Sequence, residues 1–266
     1  MLNQRSFELS RLAALAGLTL SFACAGATPA PEAAPAADAP AVSGAAIIAA
    51  ADRAEDDRAL DAGRHPAELI DFIGLKPGMK VAELAAGGGY TTELLARAVG
   101  ESGAVYGVNP KWVLEKFAEA PWAARVAKPI NHKVVRLDRE LNDPFGPEVS
   151  GLDAVVINLF YHDTVWTEVD RAKMNKAVFD ALKPGGVYIV ADHSGRDGSG
   201  STETQTLHRI EEKVVRDEVL AAGFTLAGEA NFLRNPADTR DWNASPRAAA
   251  EKRGTSDRFV LKFVKN

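Results

Sequence analysis

Val81-Ala82-Glu83-Leu84-Ala85-Ala86-Gly87-Gly88-Gly89-Tyr90-Thr91-Thr92 is the stretch whose reading decides the fold. An apolar run, Lys80 to Ala85, ends in a glycine cluster, and Thr91 to Val99 then reads as helix. Glycine serves where backbone must lie against a ligand or take a positive φ. The helix that follows offers its free N–H groups to an anionic group. A dinucleotide fingerprint would place a third glycine at position 92 and an acidic residue about twenty positions further on. Thr92 and Asn109 stand there instead, so a nicotinamide cofactor is disfavoured.

Outward from this loop, helical and strand patterns alternate. Helix is predicted over Ala45–Ala62 and from Pro66, then over Trp112–Ala120 and Lys173–Leu182, with a long helix over Glu203–Ala222 closed by Gly223. Strands are predicted over Ala104–Val108, Lys133–Leu137, Asp153–Leu159 and Val187–Ala191, and Lys183-Pro184-Gly185-Gly186 reads as a turn. Phe224–Phe232 and Arg258–Val264 read as a closing antiparallel pair. The pattern predicts an α/β, doubly wound sheet with ligand sites at the carboxyl ends of its strands.

The combination resembles the class I S-adenosylmethionine-dependent methyltransferases over most of residues 65–264. That family's first strand ends in an acidic-x-Gly-x-Gly-x-Gly segment, which Glu83, Gly87 and Gly89 match while Ala85 occupies the first glycine position. The resemblance implies a Rossmann-like seven-stranded sheet with an antiparallel final strand, and S-adenosylmethionine as cofactor. It places Glu83, Ala85, Gly87, Gly89 and Tyr90 against the amino-acid part of the cofactor. Asn109, in YGVNP, falls where the family usually has an acidic ribose ligand; an amide offers one uncharged acceptor oxygen there. Asp138 falls near the adenine amino group, and Asn158, at the end of the fourth strand, joins the cofactor set. The LKPGG turn at Leu182–Gly186 and AAGF at Ala221–Phe224 are further recurring features.

Methyl transfer requires positioning of the acceptor, exclusion of water and, where needed, removal of a proton. The strand ends offer Asn158-Leu159-Phe160-Tyr161-His162-Asp163 and Asp192-His193. His162 is the expected base, with Asp163 or Asp192 orienting its imidazole, and His193 completes the catalytic set. Phe160 and Tyr161 suit a wall against a sulfonium or an aromatic acceptor. Tyr161, Asp192, His208 and Arg234 are the expected substrate contacts. The bland reading gives these histidines strand-end or packing roles, His65 a helix cap and His132 a loop position. Asp163, Asp192 and His193 could also gather around a divalent ion, but no tight ligand spacing supports this and no metal is expected. Two polar segments suit a lid: the Asp52–Arg64 helix, and the long connection Arg234–Asp257, whose arginines could clamp an anionic acceptor.

The 266 residues carry 31 Lys plus Arg against 36 Asp plus Glu, a net charge of −5, which gives no footprint for nucleic acid. The single cysteine, Cys24, excludes an internal disulfide and any cysteine-rich metal centre. Leu12–Phe22 is too short an apolar run to span a bilayer but suits an export signal. Residues 1–23 are therefore expected to be a signal peptide, 24–44 an Ala/Pro-rich tether and 45–266 the folded domain. Ser21-Phe22-Ala23-Cys24 resembles a lipobox, which would make a lipoprotein anchored through Cys24; cleavage after Ala25 or Ala27 would give a soluble periplasmic protein, and an uncleaved N-terminus a cytoplasmic one. Two functions stay open: a methyltransferase for a small molecule, and an exported ligand-binding protein on the same fold.

Overall fold

A computed structural model describes residues 40–266. The expected signal, most of the tether and Cys24 lie outside the described residues. Helices α1 (Gly44–Ile48) and α2 (Glu55–Arg64) stand where composition predicts one helix. Arg53 bridges the break: its guanidinium donates to the Ile48 carbonyl at 3.0 Å and pairs with Asp61 at 2.6 and 2.7 Å. His65 follows with φ 49°, and Pro66 opens α3 (Pro66–Ile73). A proline disfavours helical backbone in the residue before it but fits the first turn of a new helix.

Strand β1 (Lys80–Leu84) leads through the glycine loop into α4 (Tyr90–Val99), and β2 (Ala104–Asn109) follows. The next helix is longer than its pattern suggests: α5 (Lys111–Val113), a π turn at Leu114–Ala118 and α6 (Glu119–Val126) run on continuously. Pro121 near the start of α6 has no N–H to give, and the wider turn ahead of it accommodates the loss. Then come β3 (Val134–Asp138), β4 (Leu152–Asn158), α7 (Asp163–Trp166), α8 (Arg171–Ala181) and β5 (Leu182–His193). The Lys183–Gly186 turn is absorbed into β5 as a bulge: Leu152 pairs with Leu182, and Ala154 with Val187.

The predicted long helix over Glu203–Ala222 is two helices. α9 (Thr204–Leu207) ends at His208, whose φ is 51°, and α10 (Glu212–Ala221) begins after an extended stretch. Arg209 explains the break. Its side chain is fully buried, paired with Asp238 at 2.9 Å and donating to the carbonyls of Ser194 and Trp242 at 3.1 Å each. A continuing helix would not carry it there. β6 (Thr225–Ala230) and β7 (Arg258–Val264) complete the chain.

The seven strands lie in the order β3-β2-β1-β4-β5-β7-β6. β1 to β5 run parallel, and β7 is antiparallel to both β5 and β6, as the sequence predicts. Alternation in β4 shows why both faces are covered. Val155 and Ile157 join the core containing Trp122, Tyr188 and Phe263, whereas Ala154 and Val156 join the one containing Ile70, Leu94 and Leu95. The same period of two divides β1, β2, β5 and β7 between two helical layers. The chain reverses direction of winding between β1 and β4, and their carboxyl ends frame the crevice in which ligands of such sheets bind. No helix among the described residues is long and apolar enough to cross a membrane.

Candidate active site

The glycine loop folds through left-handed backbone at alternate positions: Ala85 has φ 53°, Gly87 56° and Gly89 78°. Ala85 therefore takes a glycine-like conformation at the place where the resemblance has glycine, at a cost of about 1–2 kcal/mol for a residue with a Cβ. Gly89 is required twice over, since a Cβ there would also stand 2.6 Å from the buried ring of Trp122. Arg125 holds the outer side of the loop, donating to the Gly88 carbonyl at 3.1 Å while pairing with Asp57 and with Glu93 at 2.6 Å.

Below the loop, Glu83 is buried and accepts a hydrogen bond from the Thr92 hydroxyl. Burial pushes its carboxyl up to about 7, against the pull of that bond. Tyr90 donates to Asp61 at 2.6 Å, and the guanidinium of Arg64 lies 4.6 Å over its ring. Arg64 forms no ion pair among the described residues and faces the cavity beside Glu83.

Asn109 is corrected by the structure. Its side-chain oxygen accepts from the Gly87 N–H at 2.8 Å, and its amide donates to the Gly87 carbonyl at 3.1 Å. Fully buried, it clamps the loop and has no face toward a ribose. Asp138 is its neighbour across the β2–β3 register, but its exposed carboxylate is held by Arg136 at 2.7 Å outside the cavity. Asn158 does line the cavity and donates to the Thr91 hydroxyl at 3.3 Å.

At the far end of the same cavity, Leu159 takes φ 58° and turns the chain off β4 into the segment bearing His162 and Asp163. Asp192, fully buried at the end of β5, accepts from the His162 N–H at 2.6 Å, from His162 Nδ1 at 2.7 Å and from the His193 N–H at 2.8 Å. It is a positioning residue rather than the predicted substrate contact. His162 Nε2 lies 3.1 Å from His208 Nδ1 and 3.1 Å from Asp163 Oδ1. Burial alone would lower the pKa of His162, but the two carboxylates overcome it and raise the value to about 10. Both ring nitrogens are occupied within the protein, which corrects its expected role as base. His193 differs: its Nδ1 meets the Ser256 hydroxyl at 2.7 Å, leaving Nε2 without a partner among the described residues. Burial and the neighbouring His162 hold it well below the ordinary value.

Tyr161 is also corrected. Its hydroxyl points into the core, donating to Glu218 and accepting from Asn175, both at 2.8 Å. The aromatic wall is formed instead by Phe160, stacked on Trp112 at 5.8 Å, and by Trp166 at 5.5 Å from the same indole. Neither tryptophan stands in a motif; only tertiary packing gathers them. Arg234 lies in a separate cleft, bound to Glu212 and, at 3.1 Å, to the Ser194 hydroxyl, so the substrate contact expected of it is not made. Of the long connection, Ser245, Pro246 and Arg247 border the cavity, as do Asp57, Leu60 and Arg64 from α2. The cavity that joins the glycine loop to these histidines measures about 780 Å³, within the range of small-molecule sites.

The family model of protein-L-isoaspartate(D-aspartate) O-methyltransferase matches residues 51–134, which include β1, the glycine loop and β2. No curated protein matches the chain. Among solved structures, an S-adenosylmethionine-dependent methyltransferase from Aquifex aeolicus is similar, with TM-score 0.57 and 17% identity over 85% of this chain and 100% of that one. Another from Mesorhizobium loti gives 0.53 and 18% over 77% and 99%. The cyclase SpnF gives 0.54 and 15% over 79% and 80%. The fold is that of class I methyltransferases. One neighbour bears the name of a cyclase, so chemistry has to be argued from the site rather than from the fold.

Proposed function

We propose that this protein transfers the methyl group of S-adenosylmethionine to a small-molecule acceptor bound among the strand-end histidines. The observation that carries the reading is the continuity of one cavity from the Ala85–Gly88 loop to His162, His193 and His208. The donor set at the loop end fits the cofactor. The first turn of α4 favours an anion, and Arg64 adds a cation for its carboxylate. Glu83 supplies a carboxyl group to accept from its ammonium, and the space beside Gly87, where a Cβ would meet nothing within 4 Å, leaves the loop backbone open. The cofactor, when bound, supplies a methyl group already activated by its sulfonium. The protein then has to aim an acceptor lone pair at that methyl, keep water out and take up a proton.

Phe160, Trp112 and Trp166 exclude water and present aromatic faces to positive charge. Asp192 fixes the His162 ring, which in turn fixes His208 and Asp163 at the acceptor end. His193 Nε2 is the ring nitrogen positioned to receive the acceptor's proton, with Ser256 setting its tautomer. Export through residues 1–23 and lipidation at Cys24 belong to the same proposal on sequence grounds. They are checked by fractionating cells that carry Cys24→Ser: loss of membrane partitioning supports lipidation, and unchanged partitioning removes it.

The decisive experiment is calorimetric titration of the full chain with S-adenosylmethionine and S-adenosylhomocysteine. Binding of both at one site per chain is expected. Absence of binding at millimolar concentration overturns the reading.

A further inference from the structure

We propose that His162 Nε2, His208 Nδ1 and Asp163 Oδ1 form a binding site for one divalent cation of the zinc class, open to the cavity. The three atoms are mutually 3.1 Å apart. Ligand atoms bonded to one such ion at about 2.0–2.1 Å stand roughly 2.8–3.4 Å from one another in octahedral to tetrahedral arrangements. No other group of His, Cys, Asp and Glu among the described residues gathers its ligand atoms in this way.

Protons alone serve this triangle badly. A carboxylate brings none, so at most two protons are available for three contacts. If both imidazoles carry a proton on these atoms, the contact between His162 and His208 sets N–H against N–H. A cation at the centre satisfies all three atoms together.

The surroundings are those of a held ligand set. His162 turns its other nitrogen to the buried carboxylate of Asp192 at 2.7 Å, the partner arrangement that orients a metal-binding imidazole. Asp163 Oδ1 is steadied by the indole N–H of Trp166 at 2.8 Å. His208 reaches the cluster only through a left-handed backbone, φ 51° and ψ 52°. That conformation costs about 1–3 kcal/mol and persists where neighbours impose it. Here they do so on both sides: the Leu207 carbonyl accepts from Ala244 at 2.9 Å, and Ile210 donates to the His193 carbonyl at 3.0 Å. Two imidazoles and one carboxylate suit zinc-class ions rather than magnesium or calcium, which prefer all-oxygen shells. With three protein ligands, coordination positions remain for an oxygen or nitrogen group of the acceptor, which deepens the methyl-transfer reading; the binding of the ion itself does not depend on it.

The test uses the full chain, stripped with a chelator and titrated calorimetrically with Zn2+, without cofactor. One Zn2+ per chain is expected, with affinity reduced at least about tenfold in His208→Ala and in Asp163→Asn. His132→Ala, an exposed histidine paired with Glu101 elsewhere, should bind as the parent does. Should a site variant fail to fold, X-ray absorption of the zinc-loaded parent protein gives a second readout, with outer-shell scattering from two imidazoles expected. Failure of the parent to bind Zn2+, preference for Mg2+, undiminished binding in both folded variants, or a sulfur shell from Cys24 would each overturn the assignment. Binding of S-adenosylhomocysteine is measured separately, so either proposal can fail alone.

Discussion

Asn109 and Gly87 share a closed pair of hydrogen bonds, 2.8 Å from the loop N–H to the side-chain oxygen and 3.1 Å from the side-chain amide to the loop carbonyl. The asparagine thus shapes the loop from beneath, and its two ends are not interchangeable with a carboxylate.

Asn109→Asp should therefore weaken the protein, although it brings the sequence closer to the pattern it resembles. The change removes the donor to the Gly87 carbonyl and buries a charge against it, costing about 1–3 kcal/mol or more. Thermal unfolding and calorimetry should show a lower Tm together with weaker S-adenosylhomocysteine binding. A gain in affinity would return Asn109 to the role of ribose ligand.

The loop's backbone angles separate three further substitutions. Ala85→Gly relieves a left-handed alanine and should be neutral or stabilise by up to about 1 kcal/mol, part of the gain being lost to unfolded-chain entropy. Gly87→Ala has open space around its Cβ and should cost about 1 kcal/mol through φ alone. Gly89→Ala must also displace Trp122, so its loss in chemical denaturation should be the largest of the three.

Glu83 gives stability a pH dependence of definite sign. Its carboxyl ionises near 4.5 in the unfolded chain and near 7 when buried in the fold. Between those values the native state holds a proton that the unfolded state has released, so stability falls as pH rises through the window, by roughly 3 kcal/mol at most. Glu83→Gln should flatten that slope in denaturation curves taken from pH 4.5 to 7.5. Glu93 acts in a different window. Burial would raise its pKa, but Lys128, Arg125 and Arg97 hold it down to about 2, so its contribution is lost only as pH falls from 4.5 toward 2.

Arg64→Met keeps an aliphatic stem and removes the guanidinium that lies over Tyr90 and faces the cavity. The affinity for S-adenosylhomocysteine should drop about tenfold, corresponding to about 1.4 kcal/mol, with little change in Tm. An unchanged affinity would remove Arg64 from the carboxylate site.

Local sequence determined the strand–loop–helix at Val81–Thr92, the parallel strands and the antiparallel closing pair, because alternation, glycine and turn chemistry act over a few residues. It also placed His162, Asp163, His193 and His208 as candidates for one site. Tertiary structure alone decided their partners. Asn109 turned out to clamp Gly87, Tyr161 to face Glu218 and Asn175, and Arg234 to join a different cleft, since each is settled by contacts tens of residues away. His208 is the sharpest case: its helical pattern was overridden by the buried Arg209–Asp238 pair, which breaks the helix and carries the imidazole to His162. A residue's type and spacing set what chemistry it can offer. Which neighbour receives that chemistry depends on burial, where an unpaired polar group is costly and long-range partners win over local propensity.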